Sequence, residues 1–512
     1  MNKISFFKNY LNTYIWQIVS LLLHFLSLII VLPFITENKP VFGIYSVCIS
    51  ISIFLNYADL GFVKAALKYG GEFFVTKKFE DEKKIYGFSS FILFLVITII
   101  SLIFIFFSFN PNLLISDINL VEHVLIASRL LIIQAIFSYN TVLLKYLDCI
   151  FQVRVEQYIL QRYKIVGNLL KIISVYYFFH ITAYDIVGYY LFVKIIDLGV
   201  LVIGFIIVNK RYGFSFFDFL NNFRFNSEVF KKSKKLAFNS LYVTLCFILY
   251  YELDVFFIGK YFGVQEVAIF SLALFFLQFL RSLSSIVLSP FQSRYNHFVG
   301  LENYDGLRVF FKNVIKITIP FFIFSGILIL IYSKEIILTW AGQSYVDSVF
   351  ILELFSIVFL LNFITIPGSN LLVSLLRIKE IYLINTVIVF VFWIGIFFSY
   401  KLYGIKSFPI FKLFSAIIFA LFYSRVVLNY LKKDYFKSII LFIKRLFIPN
   451  FSIFFLNYLV KDYLSLQKSS ANFIIILTIM FVSFVIALLT LYFTSNSYKI
   501  LYNSYINKLK NG

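Results

Sequence analysis

The chain has 512 residues, of which 61% are hydrophobic, 21% aromatic and only 14% charged. Soluble globular proteins are roughly half apolar and about a quarter charged, so this composition excludes an ordinary soluble protein and indicates a polytopic membrane protein. The formal net charge of +21 is explained by cytoplasmic loops rich in Lys and Arg, and no nucleic-acid partner is expected.

Apolar runs of about 20 residues predict an all-α membrane protein with fourteen transmembrane helices. The first six predicted spans lie at 12–35, 41–58, 85–108, 121–146, 163–180 and 185–208. The next six lie at 237–259, 265–290, 314–333, 346–372, 381–400 and 405–425, and two more lie at 444–460 and 472–494. Lys and Arg are about five times more numerous on one side of this arrangement, which predicts that both termini are cytoplasmic.

The loops and cysteines argue against several classes of site. The inside connectors at 59–84 and 209–235 are too short for a nucleotide-binding domain and contain no G-x-x-x-x-G-K-[ST] motif. Cys48, Cys149 and Cys246 are far apart, in or beside apolar runs, which suggests neither a disulfide framework nor a metal cluster. We therefore predict no metal, no cofactor and no ATP site.

Two stretches of the chain are similar to each other. Gly43–Gly61 aligns with Ala268–Ile286, and each stretch begins the second helix of a set of six. Such a parallel repeat predicts two six-helix lobes, 1–225 and 226–430, related by a pseudo-two-fold axis along the membrane normal. The remaining segment, 431–512, would hold helices thirteen and fourteen and a cytoplasmic tail. A substrate path is expected between the two halves.

Several charged residues lie within the predicted spans, where a charge costs roughly 2.5–3.5 kcal/mol on insertion scales and suggests a function. The cations at depth are Arg129, Lys171, Lys194, Arg281 and Lys412, and the acids at comparable depth are Asp197 and Glu353. The excess of cations predicts a net-positive, water-filled cavity and therefore an anionic substrate.

Local pairing offers an alternative for some of these charges. Lys194 and Asp197 are three residues apart, share a helix face and are expected to pair. A pair between Lys171 and an acid on a neighbouring helix is one alternative. For Arg129 the alternative is that its side chain extends to the outer surface of the membrane. Two interpretations of Arg281 stay open. Its guanidinium suits the two parallel hydrogen bonds that a phosphate accepts, or it pairs with Glu353 or Asp254.

Short motifs along the whole chain resemble one family of transporters. They are G-I-Y-S-V at Gly43–Val47, Y-A-D-L-G at Tyr57–Gly61, E-L-D-V-F-F-I-G at Glu252–Gly259, V-A-I-F-S at Val267–Ser271, P-F-Q at Pro290–Gln292 and P-G-S-N-L-L at Pro367–Leu372. With these motifs the chain resembles the O-antigen and teichoic acid flippases of the multidrug/oligosaccharidyl-lipid/polysaccharide (MOP) exporter superfamily.

The resemblance implies a transporter rather than an enzyme. Two lobes arranged in a V would open alternately to each side and move a polyprenyl-pyrophosphate-linked oligosaccharide outward across the bacterial inner membrane. Arg281 and Lys412 match family positions for cavity cations, in helices eight and twelve. The peptidoglycan-precursor flippases carry arginines in helices one and two, whereas this chain has His24 and Asn56 in those regions, which argues against that subgroup.

The resemblance also suggests roles for the other charges and for partners. Arg129, Lys171 and Lys194 would join the cavity cations that hold the pyrophosphate. Asp59 would fix the inner gate, and proton or sodium coupling would fall to Asp197, Asp254 or Glu353. The expected partners are the lipid-linked substrate, membrane lipids, and the polysaccharide polymerase and chain-length machinery. Sugar contacts would come from scattered polar residues, namely Gln134, Asn140, Asn168, Asn239, Gln278 and Asn385.

Two other functions are weighed against this one. A drug/cation antiporter of the same superfamily would be expected to have twelve spans, with acids rather than cations at mid-depth. A polysaccharide polymerase, ligase or membrane glycosyltransferase needs a sizeable outside loop for its catalytic residues, and every predicted outside loop here is short.

Overall fold

The protein is described here by a computed structural model that covers residues 3–118, 120–181, 184–431, 433–461, 463–496 and 498–500. All regular structure in these residues is helical, and they contain no β-strand. Contacts between Cα atoms divide the chain into two compact units, unit 1 (Met1–Ser271) and unit 2 (Leu272–Gly512).

Unit 1 contains eleven α-helices and the start of a twelfth. They are α1 (Lys3–Ile35), α2 (Lys39–Ile53), α3 (Phe62–Val75), α4 (Phe79–Phe109), α5 (Val121–Phe137), α6 (Asn140–Val153), α7 (Tyr158–Tyr176), α8 (Ile186–Tyr212), α9 (Phe216–Asn222), α10 (Ser227–Tyr251), α11 (Asp254–Tyr261) and the beginning of α12 (Val264–Gly300).

Unit 2 contains the rest of α12 and eight further helices. They are α13 (Tyr304–Trp340), α14 (Ser348–Leu360), α15 (Asn362–Ser374), α16 (Ile378–Tyr403), α17 (Ser407–Tyr430), α18 (Lys433–Arg445), α19 (Phe447–Lys461) and α20 (Ser470–Thr494).

The predicted all-α membrane fold is confirmed. Each predicted span lies mainly on one of these helices or on two consecutive ones, and the spans 41–58, 163–180 and 405–425 include short 3-10 or π-helical ends. Among the described residues, eight helices are long and apolar enough to cross a membrane, or ten if two bent helix pairs each count as one span. The number fourteen, the lobe boundaries and the cytoplasmic placement of the termini stay predictions, and residues 501–512 of the tail lie outside the described residues.

Helix α4 shows why these helices need a bilayer. Ile99, Leu102 and Phe106 are each about 60% exposed, although they lie in the middle of the most apolar part of the helix. A soluble protein rarely leaves such a continuous apolar face in water. In a membrane the same face contacts acyl chains, and only the opposite face, which includes Phe88 and Leu93, needs to pack against protein.

Two connectors predicted as loops contain helices. The first, 59–84, holds α3, whose residues Phe62, Ala65, Ala66 and Gly70 are buried along one side. The second, 209–235, holds α9, which begins at a capping box: the Ser215 hydroxyl accepts from the Asp218 N–H at 3.0 Å, and the Ser215 N–H donates to the Asp218 carboxylate at 2.9 Å. Because α3 is amphipathic and α9 is short, a search for long apolar runs does not detect them.

The Y-A-D-L-G motif forms the tight start of α3. The Asp59 carboxylate accepts a hydrogen bond from the Val63 N–H at 3.2 Å. Gly61 caps the helix with φ of 81°, a left-handed conformation that favours glycine. A Cβ at Gly61 would clash with the carbonyl oxygen of Ala237 on α10. The motif therefore allows the backbones of α3 and α10 to approach each other closely.

We expect Gly61→Ala to lower the free energy of unfolding by about 1–3 kcal/mol, because it adds both backbone strain and a clash with a main-chain atom. The melting temperature of the detergent-purified protein measures the effect. Gly71→Ala is the matched control, since Gly71 lies on the same helix and a Cβ there would meet nothing within 4 Å. Equal melting temperatures for the two variants would contradict the assigned role of Gly61.

Candidate functional site

Unit 1 contains a cavity of about 350 Å³ whose lining comes from α1, α2, α5, α6, α7 and α8. Most of its lining side chains are polar. These are Ser20, Ser52, Gln134, Asn140, Thr141, Lys164, Asn168, Lys194 and Asp197. Three of the residues predicted to contact sugars, Gln134, Asn140 and Asn168, are therefore together, and two of the predicted charged site residues, Lys194 and Asp197, lie with them.

The ion pair at this cavity differs from the one expected. The Lys171 Nζ lies 2.6 Å from the Asp197 Oδ1, so Asp197 on α8 pairs across to α7. The expected pair between Lys194 and Asp197 is wrong, and the option of Lys171 meeting an acid on a neighbouring helix is confirmed. The two helices approach closely at Gly167, where a Cβ would lie 3.0 Å from the Ile196 side chain. This non-local packing overrides the three-residue spacing along α8.

Lys194 is held by an aromatic ring instead of a carboxylate. Its Nζ lies 5.0 Å from the ring centroid of Tyr190, one turn away on α8. Among the described residues, no carboxylate oxygen lies within 4.0 Å of this ammonium group. Among the described residues the Lys194 ammonium therefore lies at the cavity without a carboxylate in direct contact, although the charge of Asp197, which is paired with Lys171, still acts on it.

Tyr190 connects two parts of the lining. Its hydroxyl donates a hydrogen bond to the side-chain oxygen of Gln134 on α5, while its ring lies beside the Lys194 ammonium. The ring also packs edge-on against Tyr45 on α2, with centroids 5.9 Å apart. Tyr190 and Gln134 are both almost fully buried. The side chain of Tyr190 thus positions one polar and one charged member of the cavity.

Lys164 is a further cavity cation, and it was not predicted. It lines the cavity from α7, and its Nζ lies 3.9 Å from the Asp148 carboxylate. The sequence does contain a signal for it: Lys164, Asn168 and Lys171 follow each other at the four- and three-residue spacings that share one helix face. That face carries the polar contribution of α7 to the cavity.

Arg129 and Asp254 lie elsewhere in unit 1. Arg129 is exposed on α5 in a stripe with Leu125, Ile132 and Ile136, whereas α5 lines the cavity through Gln134 and Phe137. Asp254 is the first residue of α11 and is fully buried. Neither residue is among those that line the cavity around Lys194.

Asp59 borders a second, smaller cavity of about 320 Å³, together with Lys64 and Lys145. Burial raises the pKa of Asp59, although the charge of Lys145 and the Val63 N–H oppose this shift. The carboxylate caps the start of α3, and the role of Asp59 in an inner gate stays a prediction.

Three predicted site residues belong to unit 2. Arg281 is half-buried on α12. Lys412 on α17 is fully buried, with its Nζ 5.9 Å from the ring centroid of Phe355 and 5.3 Å from that of Phe392. Glu353 on α14 accepts a hydrogen bond from the Ser333 hydroxyl at 3.1 Å.

The structure also bears on the pairing proposed for Glu353. In the described part of unit 2, no cationic side chain lies within 4.0 Å of its carboxylate, so the alternative pair of Arg281 with Glu353 is not formed.

Asn385, a predicted sugar contact, donates its side-chain N–H to the Ile381 carbonyl of its own helix at 2.7 Å.

The sequence matches no protein-family model and no curated protein. The three-dimensional structure, in contrast, is similar to solved transporters. It matches the lipid II flippase MurJ in an inward closed conformation, with a TM-score of 0.63 and 14% identity. The match covers 95% of this chain and 99% of the MurJ chain. It also matches a multidrug resistance MATE family transporter in its inward-facing conformation, with a TM-score of 0.62 and 14% identity. This match covers 81% of this chain and 98% of the MATE chain.

The fold is that of the MOP-superfamily transporters. A third structure, a MOP transporter from Pyrococcus furiosus whose binding pocket is described as reversed in polarity, matches 83% of this chain and 96% of its own, with a TM-score of 0.55 and 14% identity. At such identities the likeness shows the fold alone.

This similarity of fold agrees with the fold that the sequence resemblance implies, that of a multi-pass all-α membrane protein. It gives no information on the substrate. The assignment of a substrate therefore depends on the side chains that line the cavity of unit 1.

Proposed function

We propose that the chain is a flippase that moves a polyprenyl-pyrophosphate-linked oligosaccharide repeat unit across the bacterial inner membrane by alternating access, for O-antigen or capsule synthesis. One observation carries this proposal: the Lys194 ammonium faces a cavity lined in part by side-chain amides, while Asp197, the one acid among the described lining residues, is already paired with Lys171. An ammonium group without a carboxylate suits a pyrophosphate, and side-chain amides suit sugar hydroxyls.

The comparisons support this proposal at the level of fold, since a flippase for lipid II shares the architecture over nearly the whole chain. His24 and Asn56 stand where the peptidoglycan-precursor flippases carry arginines, so we do not propose lipid II itself. The side chains of both residues lie outside the described residues. No chemical step is proposed, and polysaccharide polymerase and chain-length proteins are proposed as functional partners.

Arg281 and Lys412 are proposed as further phosphate ligands, from unit 2. Lys412 now lies among the aromatic rings of Phe355 and Phe392. Contact with a phosphate therefore requires α17 to separate from α14 or α16. Asp197, Asp254 and Glu353 are proposed as candidates for proton or sodium coupling, and Asp59 as a residue of the inner gate.

Deletion of the gene in its native host tests the function directly. We expect single lipid-linked repeat units to accumulate on the inner face of the membrane, and the wild-type chain to reverse this when it is supplied in trans. Normal surface polysaccharide and no accumulated precursor in the deletion strain would overturn the proposal.

Replacing Arg281 with alanine or glutamate is expected to abolish transport, because the guanidinium can no longer donate hydrogen bonds to a phosphate. The amount of protein in the membrane, measured in parallel, should stay at the wild-type level. Arg281→Lys is the control, because it keeps the charge and should retain part of the activity. Unchanged transport by Arg281→Ala would remove this residue from the proposed site.

A drug/cation antiporter is the second candidate, favoured by the MATE-like fold and by the presence of Asp197 in the cavity. The two functions predict different phenotypes. An antiporter deletion strain would become sensitive to cationic dyes and retain its surface polysaccharide, whereas a flippase deletion strain would lose the polysaccharide.

A further inference from the structure

Helix α18 combines a buried face with an exposed face that is both apolar and basic. Ile439 and Phe442 are buried, whereas Ile440, Leu441 and Ile443 are 41%, 50% and 40% exposed. Exposed cations flank these residues, with Lys437 before them and Lys444 and Arg445 after them. A helix of 13 residues is about 20 Å long, too short to cross a bilayer by itself. This pattern is typical of a helix that lies at a membrane surface.

A buried lysine lies beneath α18. Lys316 on α13 is only 6% exposed. Its Nζ donates to the Ser438 hydroxyl oxygen on α18 at 2.8 Å and lies 5.9 Å from the ring centroid of Phe442. Among the described residues, no carboxylate oxygen lies within 4.0 Å of this ammonium group.

Such an arrangement is costly without an anion. A buried ammonium group loses its hydration, and one neutral hydroxyl returns only part of that free energy. A bound phosphate would remove this cost, because its oxygens accept charge-assisted hydrogen bonds from an ammonium group.

We propose that the junction of α13 and α18 binds the phosphate of an anionic phospholipid headgroup, at the inner surface of the membrane. Lys316 is the central ligand, and Ser438 is its neighbour at the junction. The Ser438 hydroxyl accepts from Lys316 through its oxygen and so keeps its own proton to donate to a phosphate oxygen.

A lipid, rather than a free phosphate ion, is favoured by what surrounds the site. The exposed side chains of Ile440, Leu441 and Ile443 lie on the same short helix and offer an apolar surface to acyl chains. The predicted orientation places the connection between α17 and α19 on the cytoplasmic side, where anionic lipids attract basic segments. This site is independent of the transported substrate, since its residues are not among those assigned to transport.

Lipid binding by the detergent-purified full-length protein tests the proposal. We expect dioleoylphosphatidylglycerol to raise the melting temperature and to remain bound in native mass spectrometry, and dioleoylphosphatidylcholine to do neither. Lys316→Met should weaken the binding of phosphatidylglycerol by about tenfold or more, the effect of losing one charge-assisted hydrogen bond. Ser438→Ala should weaken it less and leaves every charge in place, so it tests the site even if Lys316→Met does not fold.

Lys437→Met is the matched control, because Lys437 is an exposed cation on the same helix. Equal losses for Lys437→Met and Lys316→Met would mean diffuse attraction to the membrane surface and would overturn a built site. Stabilisation by inorganic phosphate equal to that by phosphatidylglycerol would overturn the lipid as the ligand. Unchanged binding by both Lys316→Met and Ser438→Ala would overturn the site itself.

Discussion

Lys194→Glu is expected to reduce transport by about a hundredfold or more. The change replaces the ammonium group of the unit 1 cavity with a carboxylate one turn from Asp197. A pyrophosphate would then lose a charge-assisted hydrogen bond and meet a second negative charge, and together these effects exceed about 3 kcal/mol. Transport of a lipid-linked repeat unit by the purified protein in liposomes is the measurement.

Two variants control this experiment. Lys194→Arg keeps a cation at the same position and should retain activity within about tenfold of the wild type. Lys210→Glu makes the same charge change near the end of α8, at an exposed residue that does not line the cavity, and should leave transport unchanged. If Lys194→Glu transports as well as Lys210→Glu, the cavity does not bind the phosphate.

The second large effect concerns stability. Arg154, the residue after α6, and Glu82 on α4 form a bidentate ion pair, with N–O distances of 2.6 and 3.1 Å, and they are 5% and 0% exposed. The guanidinium carbon also lies 4.7 to 5.1 Å from the ring centroids of Phe74, Tyr212 and Phe214. Arg154→Met should destabilise the protein by about 3–5 kcal/mol, because it leaves the Glu82 carboxylate buried without its partner.

The melting temperature in detergent reports this loss. The double variant Glu82→Gln with Arg154→Met should recover part of it, since no uncompensated charge then remains. Lys84→Met removes an ion pair of the same helix in which both side chains, Lys84 and Asp81, are nearly half-exposed. For that pair we expect the free energy of unfolding to fall by less than about 1 kcal/mol. An equally small effect of Arg154→Met would show that the buried pair is not a major source of stability.

The helices of this protein were largely predictable, because an apolar run is a local property of the sequence. Every segment from 12–35 to 472–494 lies on helix. The bend of 42° between α10 and α11 was not predicted, because the predicted span 237–259 crosses it without interruption. Surface helices such as α9 escaped the hydropathy criterion, although the Ser215–Asp218 capping box was present in the sequence.

The candidate site was only partly predictable, because it depends on which helices are neighbours. The sequence identified Lys171, Lys194 and Asp197 as charges at depth, but helical spacing favoured the wrong pair. Spacing describes contacts along one helix, whereas the observed pair joins α7 to α8. Similarly, nothing in an apolar run tells which side of α5 faces the cavity, so the sequence left both a cavity position and an outward position open for Arg129, which is exposed.

Tyr190 contacts both Gln134 and Lys194. Its hydroxyl donates a hydrogen bond to the Gln134 side chain, and its ring makes a cation–π contact with the Lys194 ammonium, so the two residues share one partner. Residues that share a partner in this way show non-additive effects in double-mutant cycles. Under the proposed function, a substitution at Gln134 that changes sugar preference would therefore also alter the affinity for the charged group. Redesign of this cavity for a new ligand has to treat the three positions together, and natural variation at one of them should be accompanied by variation at the others.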